Sequence, residues 1–501
     1  MNETPETPPS APESTTSAHG AKGGMSDSKT SLYAKHVKIY PQWVRGMFRN
    51  IKWTVLGALL SLYYLIPWLR WDRGAGTPDQ AVLVDMTGRR LYFFWIEIWP
   101  QEIYYLTGIL IIGAIGLFMV TALAGRVWCG FTCPQTVWTD LFLFVEHLIE
   151  GDRNKRKKLD AGPLTLNKAV RKILKHSVWV LISALTGGAW IMYYVDAPTV
   201  TMDILTGQAS TTVYGFFALF TGTTYLLAGW AREQLCVYMC PWPRFQGAMF
   251  DVDSLVVTYE GWRGEPRGKP KSKAPEGVDS KGDCIDCELC RHVCPTGIDI
   301  RDGLQLGCIG CGLCIDVCNQ VMDRIGSPRQ LIRYDSISNQ ASRETGKEVG
   351  FKFLRPRILI YAAILAVVIG IMAFTMGTRK TTEINIQRDR SPLFVTLSDG
   401  SVRNGYTFKI LNMVREDRSF VLGTQGVEGA IINIVGKGAG NWKAAIDVTV
   451  KPDNVGTFRV YVRAPAFGLD GRSQELNFEL LDTVSGKTTL HESIFYGPGN
   501  K

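Results

Sequence analysis

The chain has no cysteine outside four short motifs. All twelve lie between Cys129 and Cys318, and the tail from 380 to 501 holds none. A secreted disulfide framework spreads its cysteines, so that class is excluded. Packed, regularly spaced cysteines mean metal or redox chemistry in a compartment that keeps them as thiolates. Histidine is also scarce, six in 501 residues, and only His147 and His176 lie near the apolar regions. A single histidine on an interfacial helix reads as a polar-face residue rather than a haem ligand. There is no Cys-x-x-Cys-His, no Walker loop and no Rossmann glycine pattern, so no nicotinamide or flavin site is expected. No signal peptide is expected, because no apolar core follows a basic start.

Five long runs lack Asp, Glu, Lys and Arg: Trp53–Leu69, Ile103–Gly125, His176–Val195, Val213–Ala231 and Ile358–Thr378. A spanning helix needs about 20 apolar residues, and a central charge costs roughly 2.5–3.5 kcal/mol, so each run is expected to cross a membrane. Thr136–Ile149 is apolar but carries Asp140, Glu146 and His147, and reads as an interfacial or re-entrant helix. The formal net charge is +9, with the basic residues clustered beside the apolar runs, so membrane lipid rather than nucleic acid is the expected partner. Lys35, Lys38, Arg45, Arg49 and Lys52 precede the first run. Nine Lys and Arg between Arg153 and Lys175 follow the second, and Lys352, Arg355 and Arg357 precede the last, whereas the Val195–Val213 loop has none. The positive-inside rule then places the N-terminus and every cysteine in the cytoplasm and the tail outside, in the periplasm of a Gram-negative cell.

The tail alternates apolar and polar residues in short segments: Phe394–Leu397, Tyr406–Leu411, Ser419–Leu422, Ile431–Val435, Ala445–Val450, Gly456–Arg463 and Gln474–Leu480. With turn signals at Asp399-Gly400, Asn404-Gly405 and Asp470-Gly471, this spacing predicts a β-sandwich. The first 34 residues, rich in Pro, Thr, Ser, Glu and Gly, are expected to be disordered.

The sharpest motif is Cys284-x-x-Cys287-x-x-Cys290-x-x-x-Cys294-Pro295, followed by Cys308-x-x-Cys311-x-x-Cys314-x-x-x-Cys318. This is the bacterial two-cluster ferredoxin spacing, in which the fourth cysteine of each run serves the other cluster. Cys284, Cys287, Cys290 and Cys318 are the expected ligands of the first [4Fe–4S] cluster, and Cys308, Cys311, Cys314 and Cys294 of the second. The second run ends Cys318-Asn319 rather than Cys-Pro, which loosens the turn but keeps the ligands.

A repeat occupies the membrane part. Leu123-Ala124-Gly125-Arg126 leads to Cys129-x-x-x-Cys133-Pro134, and Leu227-Ala228-Gly229 with Arg232 leads to Cys236-x-x-x-Cys240-Pro241. Two such units suggest a pseudo-symmetric core with paired sites at one face. Two thiolates suit Cu(I), four suit zinc or a further iron–sulfur cluster, and a reversible disulfide is a further reading. Arg126 and Arg232 are expected either to lower nearby thiol pKa values or to snorkel to headgroups.

Gly125-Arg126-Val127-Trp128-Cys129-Gly130-Phe131-Thr132-Cys133-Pro134-Gln135-Thr136-Val137-Trp138 closely resembles the signature of the CcoG/FixG/RdxA family of cytochrome c oxidase accessory proteins. So do Glu150–Asn154, Tyr238–Trp242, Arg244–Gly247 and Cys294–Gly303, and the likeness runs from about Tyr40 to the end of the chain. The resemblance implies an immunoglobulin-like tail and a role in assembling the cbb3-type oxidase. It also implies reduction of Cu(II) to Cu(I) for a copper-exporting P-type ATPase, with transient copper at Cys129, Cys133, Cys236 and Cys240. The expected partners are then that ATPase and oxidase subunits or assembly factors; a homo-oligomer is left open. Two other readings stand beside the cupric reductase: a NapH-like conduit carrying electrons from quinol or a cytoplasmic donor to a partner reductase, and an assembly scaffold.

The expected architecture is a multi-domain membrane protein. A disordered arm (1–34) precedes a helical membrane domain with both Cys-x-x-x-Cys-Pro motifs (35–260) and a ferredoxin-type domain (261–345). A last transmembrane helix (352–379) then leads to a periplasmic Ig-like β-sandwich (380–501). Alkaline phosphatase fused after Asn404 is expected to be active, and fused after Ser280 inactive; the reverse pattern overturns this topology.

Overall fold

The computed structural model describes residues 38–74, 76–268, 282–347, 350–379, 382–414, 416–436, 441–452, 454–466 and 471–498. The expected disordered arm and the Asp470 half of one expected turn lie outside these residues. The chain divides into two compact units, 1–106 with 113–362, and 107–112 with 363–501.

In the first unit, α1 (Met47–Leu65) is followed by a short antiparallel ribbon, β1 (Val82–Asp85), β2 (Arg90–Phe93) and β3 (Ile96–Ile98). Next come α2 (Tyr104–Ala124), α3 (Pro134–Glu150), α4 (Arg153–Ala161), α5 (Leu166–Ile191), α6 (Ala197–Thr206), α7 (Thr211–Thr224) and α8 (Trp242–Met249). The cysteine-rich part follows as β4 (Val256–Tyr259), α9 (Gly261–Gly264), α10 (Leu289–Val293), α11 (Leu313–Ile325), β5 (Ile332–Asp335) and α12 (Ile337–Glu344), before α13 (Pro356–Gly377). β4 and β5 pair antiparallel from Val256↔Asp335 to Tyr259↔Ile332, which closes the cysteine loops at their base.

Among the described residues, three helices are long and apolar enough to cross a membrane: Met47–Trp68, Pro100–Ala124 and Pro356–Gly377. The other two expected runs are helical but differ from the expectation. α5 starts ten residues before His176 and carries Lys168, Arg171, Lys172 and Lys175 in its first half. α7 is 14 residues long and passes into a π-helical segment, Tyr225–Ala231.

The segment expected to lie at the interface is a packed central helix instead. Asp140, Glu146 and Glu150 are all buried on α3. A carboxylate buried without a cation is prohibitive, so each has one or more. Asp140 takes Arg49 (3.0 Å) and Lys52 (3.6 Å). Glu146 takes Arg156 (2.9 Å), Lys175 (3.3 Å) and Arg232 (2.9 Å). Glu150 takes Lys172 (2.9 Å) and Lys175 (3.0 Å). Several cations that the sequence offers as free loop charges are therefore spent on buried carboxylates; Arg355 likewise pairs with Asp251 and donates to the Ala122 carbonyl. Around the same helix Trp179 stacks on Phe142 at 5.2 Å and donates to its carbonyl.

The second unit is a β-sandwich. One sheet has the order β10-β12-β8-β6 with β7 beside β8, and the other β11-β9-β13-β14. The strands are β6 (Thr382–Arg388), β7 (Val395–Thr396), β8 (Val402–Asn412), β9 (Arg418–Gln425), β10 (Ile431–Ile434), β11 (Ala445–Val450), β12 (Asn454–Ala464), β13 (Ser473–Asp482) and β14 (Thr488–Tyr496). The seven expected strands are present, with β6 and β14 in addition. Inward residues such as Tyr406, Phe408, Phe420 and Phe478 are fully buried, and Phe478 meets Phe408 edge-on at 4.8 Å. Asn404-Gly405 is not a turn: both residues sit inside β8 opposite Val462 and Tyr461. Asn404 exchanges hydrogen bonds with the Tyr496 backbone, 2.8 and 3.1 Å, which ties the two sheets together.

Burial alone would raise the Glu146 carboxyl. Arg232, Lys175 and Arg156 override it and hold the group down, to about 2 from 4.5. A depressed carboxylate contributes stability that is complete above its unfolded pKa and fades as pH falls through the folded one. Glu146→Gln is expected to destabilise the first unit by about 3–5 kcal/mol, because it leaves buried cations uncompensated. Thermal unfolding in detergent should also show the unmodified protein losing stability between pH 4.5 and 2, with that dependence reduced in the variant.

Candidate redox site

The two Cys-x-x-x-Cys-Pro motifs fold alike. Trp128–Thr132 and Leu235–Met239 are each one π-helical turn. The turns close with Cys133 N–H donating to the Trp128 carbonyl (2.8 Å) and Cys240 N–H to the Leu235 carbonyl (2.7 Å). The proline after each turn lacks an N–H, which ends the wide turn and starts the next helix, α3 or α8. Single π turns recur at functional positions because they push a side chain out of helical register.

The two turns meet. The Cys129 thiol donates to Gln246 Oε1 on α8 at 3.1 Å. Cys129 also lies within electrostatic reach of Cys133, Cys236 and Cys240, so all four thiols share one region. Burial pushes Cys129 up to about 12 and Cys236 up to about 11, their neighbouring thiols adding to it. At neutral pH these groups are protonated unless a soft metal stabilises the thiolate. All twelve cysteines are free in this structure.

The ferredoxin-type loops repeat one backbone pattern. Asp286 and Glu288 have φ of 56°, and Gly310 and Gly312 have φ of 67° and 72°. Alternating left-handed residues turn successive N–H groups to one side, the concave nest that accepts anionic inorganic bodies. Glycine adopts this freely, whereas Asp286 and Glu288 store strain there. Cys284, Cys287, Cys290 and Cys318 line one small cavity. Cys294, Cys308, Cys311 and Cys314 line a second, whose wall Cys290 also touches. Among the described residues no three His, Cys, Asp or Glu side chains converge on a single-ion point. Four thiols at the ferredoxin spacing fit a cubane cluster better than a zinc ion. Arg301 lines the first cavity, held by Asp286 and Asp299 at 2.6 Å each.

The cluster loops and the first π turn are in contact. A Cβ on Gly130 would stand 2.8 Å from the Gly310 carbonyl oxygen and 2.9 Å from that of Ile309, so only glycine permits this approach. Arg126 is buried, where it donates to the carbonyls of Leu306, Cys308 (3.0 Å) and Pro243 (2.7 Å). Arg232 is buried against Glu146. Neither arginine snorkels: each fixes backbone or a carboxylate inside the protein. Of the two, Arg126 acts on Cys129, lowering its thiol against the larger effect of burial. Cys129 packs against the apolar cluster that contains Ile309 and Cys311. A small cavity also joins Cys236 and Lys52 to Pro295 and Thr296, and the Thr296 hydroxyl is 3.3 Å from the Cys294 sulfur.

Sequence reasoning missed four supporting residues. Asp316 on α11 accepts the N–H groups of Phe48 (3.2 Å) and Arg49 (2.8 Å), so a residue of the cluster helix caps α1. Lys52 reads as a loop charge but is buried beside Cys236 and Cys311. Gln135 directly follows Cys133-Pro134, Gln246 stands five residues after Pro241, and both lie inside motifs already singled out, which was their only signal.

Three family models match. One for a 4Fe-4S dicluster domain covers residues 231–337, one for a 4Fe-4S binding domain covers 106–150, and one for the Ig-like fold at the C-terminus of FixG covers 372–498. The chain is 45% identical over 496 residues to the nitrogen fixation protein FixG of Rhizobium meliloti, covering 93% of this chain and 94% of that one. It is 45% identical to protein RdxB of Cereibacter sphaeroides (95% and 99% covered) and 46% identical to RdxA of the same organism (87% and 91%). With apolar helices long enough to cross a bilayer, cavities ringed by thiols and relatives matching nearly end to end, the chain is an iron–sulfur electron-transfer protein of the membrane and belongs to the FixG/RdxA family.

Proposed function

We propose that this protein reduces Cu(II) to Cu(I) on the cytoplasmic face of the inner membrane, supplying copper for assembly of a cbb3-type cytochrome c oxidase. The observation that carries the reading is the Gly130–Gly310 contact, which sets the thiol pair of the first π turn against the loop of the second cluster cavity. In this reading Cys284, Cys287, Cys290 and Cys318 hold one [4Fe–4S] cluster, and Cys308, Cys311, Cys314 and Cys294 the other. Bound clusters supply one-electron transfer. Cys129, Cys133, Cys236 and Cys240, all half-buried, receive copper, and soft sulfur favours Cu(I). Gln246 orients Cys129, and Arg126 holds the cluster loop in register. The family likeness adds a copper-exporting P-type ATPase as acceptor and oxidase subunits or assembly factors as neighbours.

The topology belongs to the same proposal. Five spans, with α5 and the α7–π segment as the third and fourth, put the tail domain in the periplasm and every cysteine in the cytoplasm.

A second reading is favoured by the match of residues 106–150 to a 4Fe-4S binding domain, since those residues contain Cys129 and Cys133. There the four motif cysteines hold a third cluster, and the protein is an electron conduit. Iron analysis after anaerobic purification separates the two: about eight irons per chain for copper at the motifs, about twelve for a third cluster. Cys290→Ser should remove one ferredoxin-type signal in paramagnetic resonance. Cys129→Ser with Cys236→Ser should leave iron and both signals unchanged while lowering copper binding at least tenfold. Loss of iron from that double variant would replace the copper reading with the conduit.

A further inference from the structure

The electrons need a source, and the sequence carries no nicotinamide or flavin pattern. A cavity of about 330 Å³ lies beside α3. Its walls are Tyr63, Trp138, Trp190 and Phe220, and its base is Pro134 and Gln135, the two residues that follow Cys133. Pockets of this size, apolar and partly aromatic with a few polar groups, take flat amphiphilic molecules.

The polar groups are specific. Gln135 Nε2 is spent on protein acceptors, donating to the Leu227 carbonyl at 2.7 Å and to Thr139 Oγ1 at 3.2 Å. This fixes the amide and leaves Oε1 without a partner among the described residues. The Thr224 hydroxyl, also on the wall, has no partner among them either. Opposite, Trp138 Nε1 donates to Thr186 Oγ1 at 2.9 Å and Tyr63 donates to the Thr186 carbonyl at 2.8 Å, so those walls are locked. A free acceptor and a free hydroxyl in an aromatic slot suit a ligand with an O–H to donate and a ring oxygen to accept. An acyl chain has neither. Gln135 also lines the small cavity that reaches Cys236 and Thr296, so one side chain touches both spaces.

We propose that this cavity binds an isoprenoid hydroquinone from the bilayer, with its ring between Trp138 and Phe220 and one hydroxyl on Gln135 Oε1, as the electron donor to the chain. The balance closes on the protein as constituted. The hydroquinone loses two electrons and two protons and becomes quinone; the two clusters that the eight cysteines would hold would accept one electron each, and both protons go to water. Buried or half-buried cations beside the cysteines favour the more negative, reduced clusters: Arg301 near Cys290, Arg126 near Cys308 and Lys52 near Cys311. The site rests on the iron–sulfur reading but not on the copper one.

The test uses the full chain in lipid nanodiscs, anaerobically, with decyl-ubiquinol and a short-chain menaquinol as probes. Binding is read as quenching of tryptophan emission by the quinone forms. Electron entry is read as bleaching of the cluster absorption. Gln135→Leu removes the acceptor, and Thr224→Phe fills the slot without removing a protein hydrogen bond. Both variants should bleach with dithionite like the unmodified protein, which shows folded, loaded clusters. With either quinol they should bleach at least tenfold more slowly, with quenching weakened to match. Bleaching by quinol at unchanged rates in both variants overturns the site. So does a failure of both quinols to bleach or quench the unmodified protein, with co-purifying phospholipid filling the cavity instead. Cu(I) formation from dithionite-reduced protein, run alongside, is independent of these outcomes.

Discussion

Two glycines at one contact set the rest of the arrangement. Gly130 in the first π turn and Gly310 in the second cluster loop approach so closely that no side chain fits at Gly130. Other contacts of the first unit hold the same region together. Arg126 crosses the junction and holds carbonyls of the cysteine-rich loop. Asp316 reaches from the cluster helix to cap α1, and β4 pairs with β5 beneath the loops. A ferredoxin-type module on a flexible tether would meet the thiol site only by collision. Here the module is built into the frame that carries the thiols.

That frame is held by charges that water would otherwise solvate. α3 buries three carboxylates, and cations from α1, α4, α5 and Arg232 converge on them. Buried ion pairs contribute little net stability against apolar replacements, but breaking one is costly, so they fix position more than they stabilise. The positions fixed are those of the π turns: Pro134 opens α3, and Arg232 lies between the second π segment and Cys236. Ionisable groups among apolar helices mark functional regions for this reason.

The ferredoxin loops were legible in the sequence because cluster ligation dictates spacing; the eight cysteines line two neighbouring cavities, with Cys290 on both. The sandwich was legible through alternation, apart from β6 and β14, which flank the recognised segments; Asn404-Gly405 reads as a turn but serves inside β8 as an inter-sheet tie. The burial of Asp140, Glu146 and Glu150 was not legible, because a charged residue on a short apolar segment looks the same whether it faces water or a cation from a distant helix. Lys52 and Arg355 were misread as loop charges for the same reason. The convergence of the two Cys-x-x-x-Cys-Pro turns on one region follows from packing, which a repeat in one dimension only suggests.

The central claim is that cluster electrons reach copper at the paired thiols across this contact. The most direct measurement is an anaerobic single turnover, in which protein reduced and freed of excess dithionite is mixed with Cu(II) and a Cu(I) chelator. Cluster absorption and the chelate colour are followed together. The account predicts one Cu(I) formed for each cluster electron lost, on one time course, with both changes slowed in Cys129→Ser. Cu(I) forming while the clusters stay reduced, or clusters reoxidising at an unchanged rate in that variant, would contradict it.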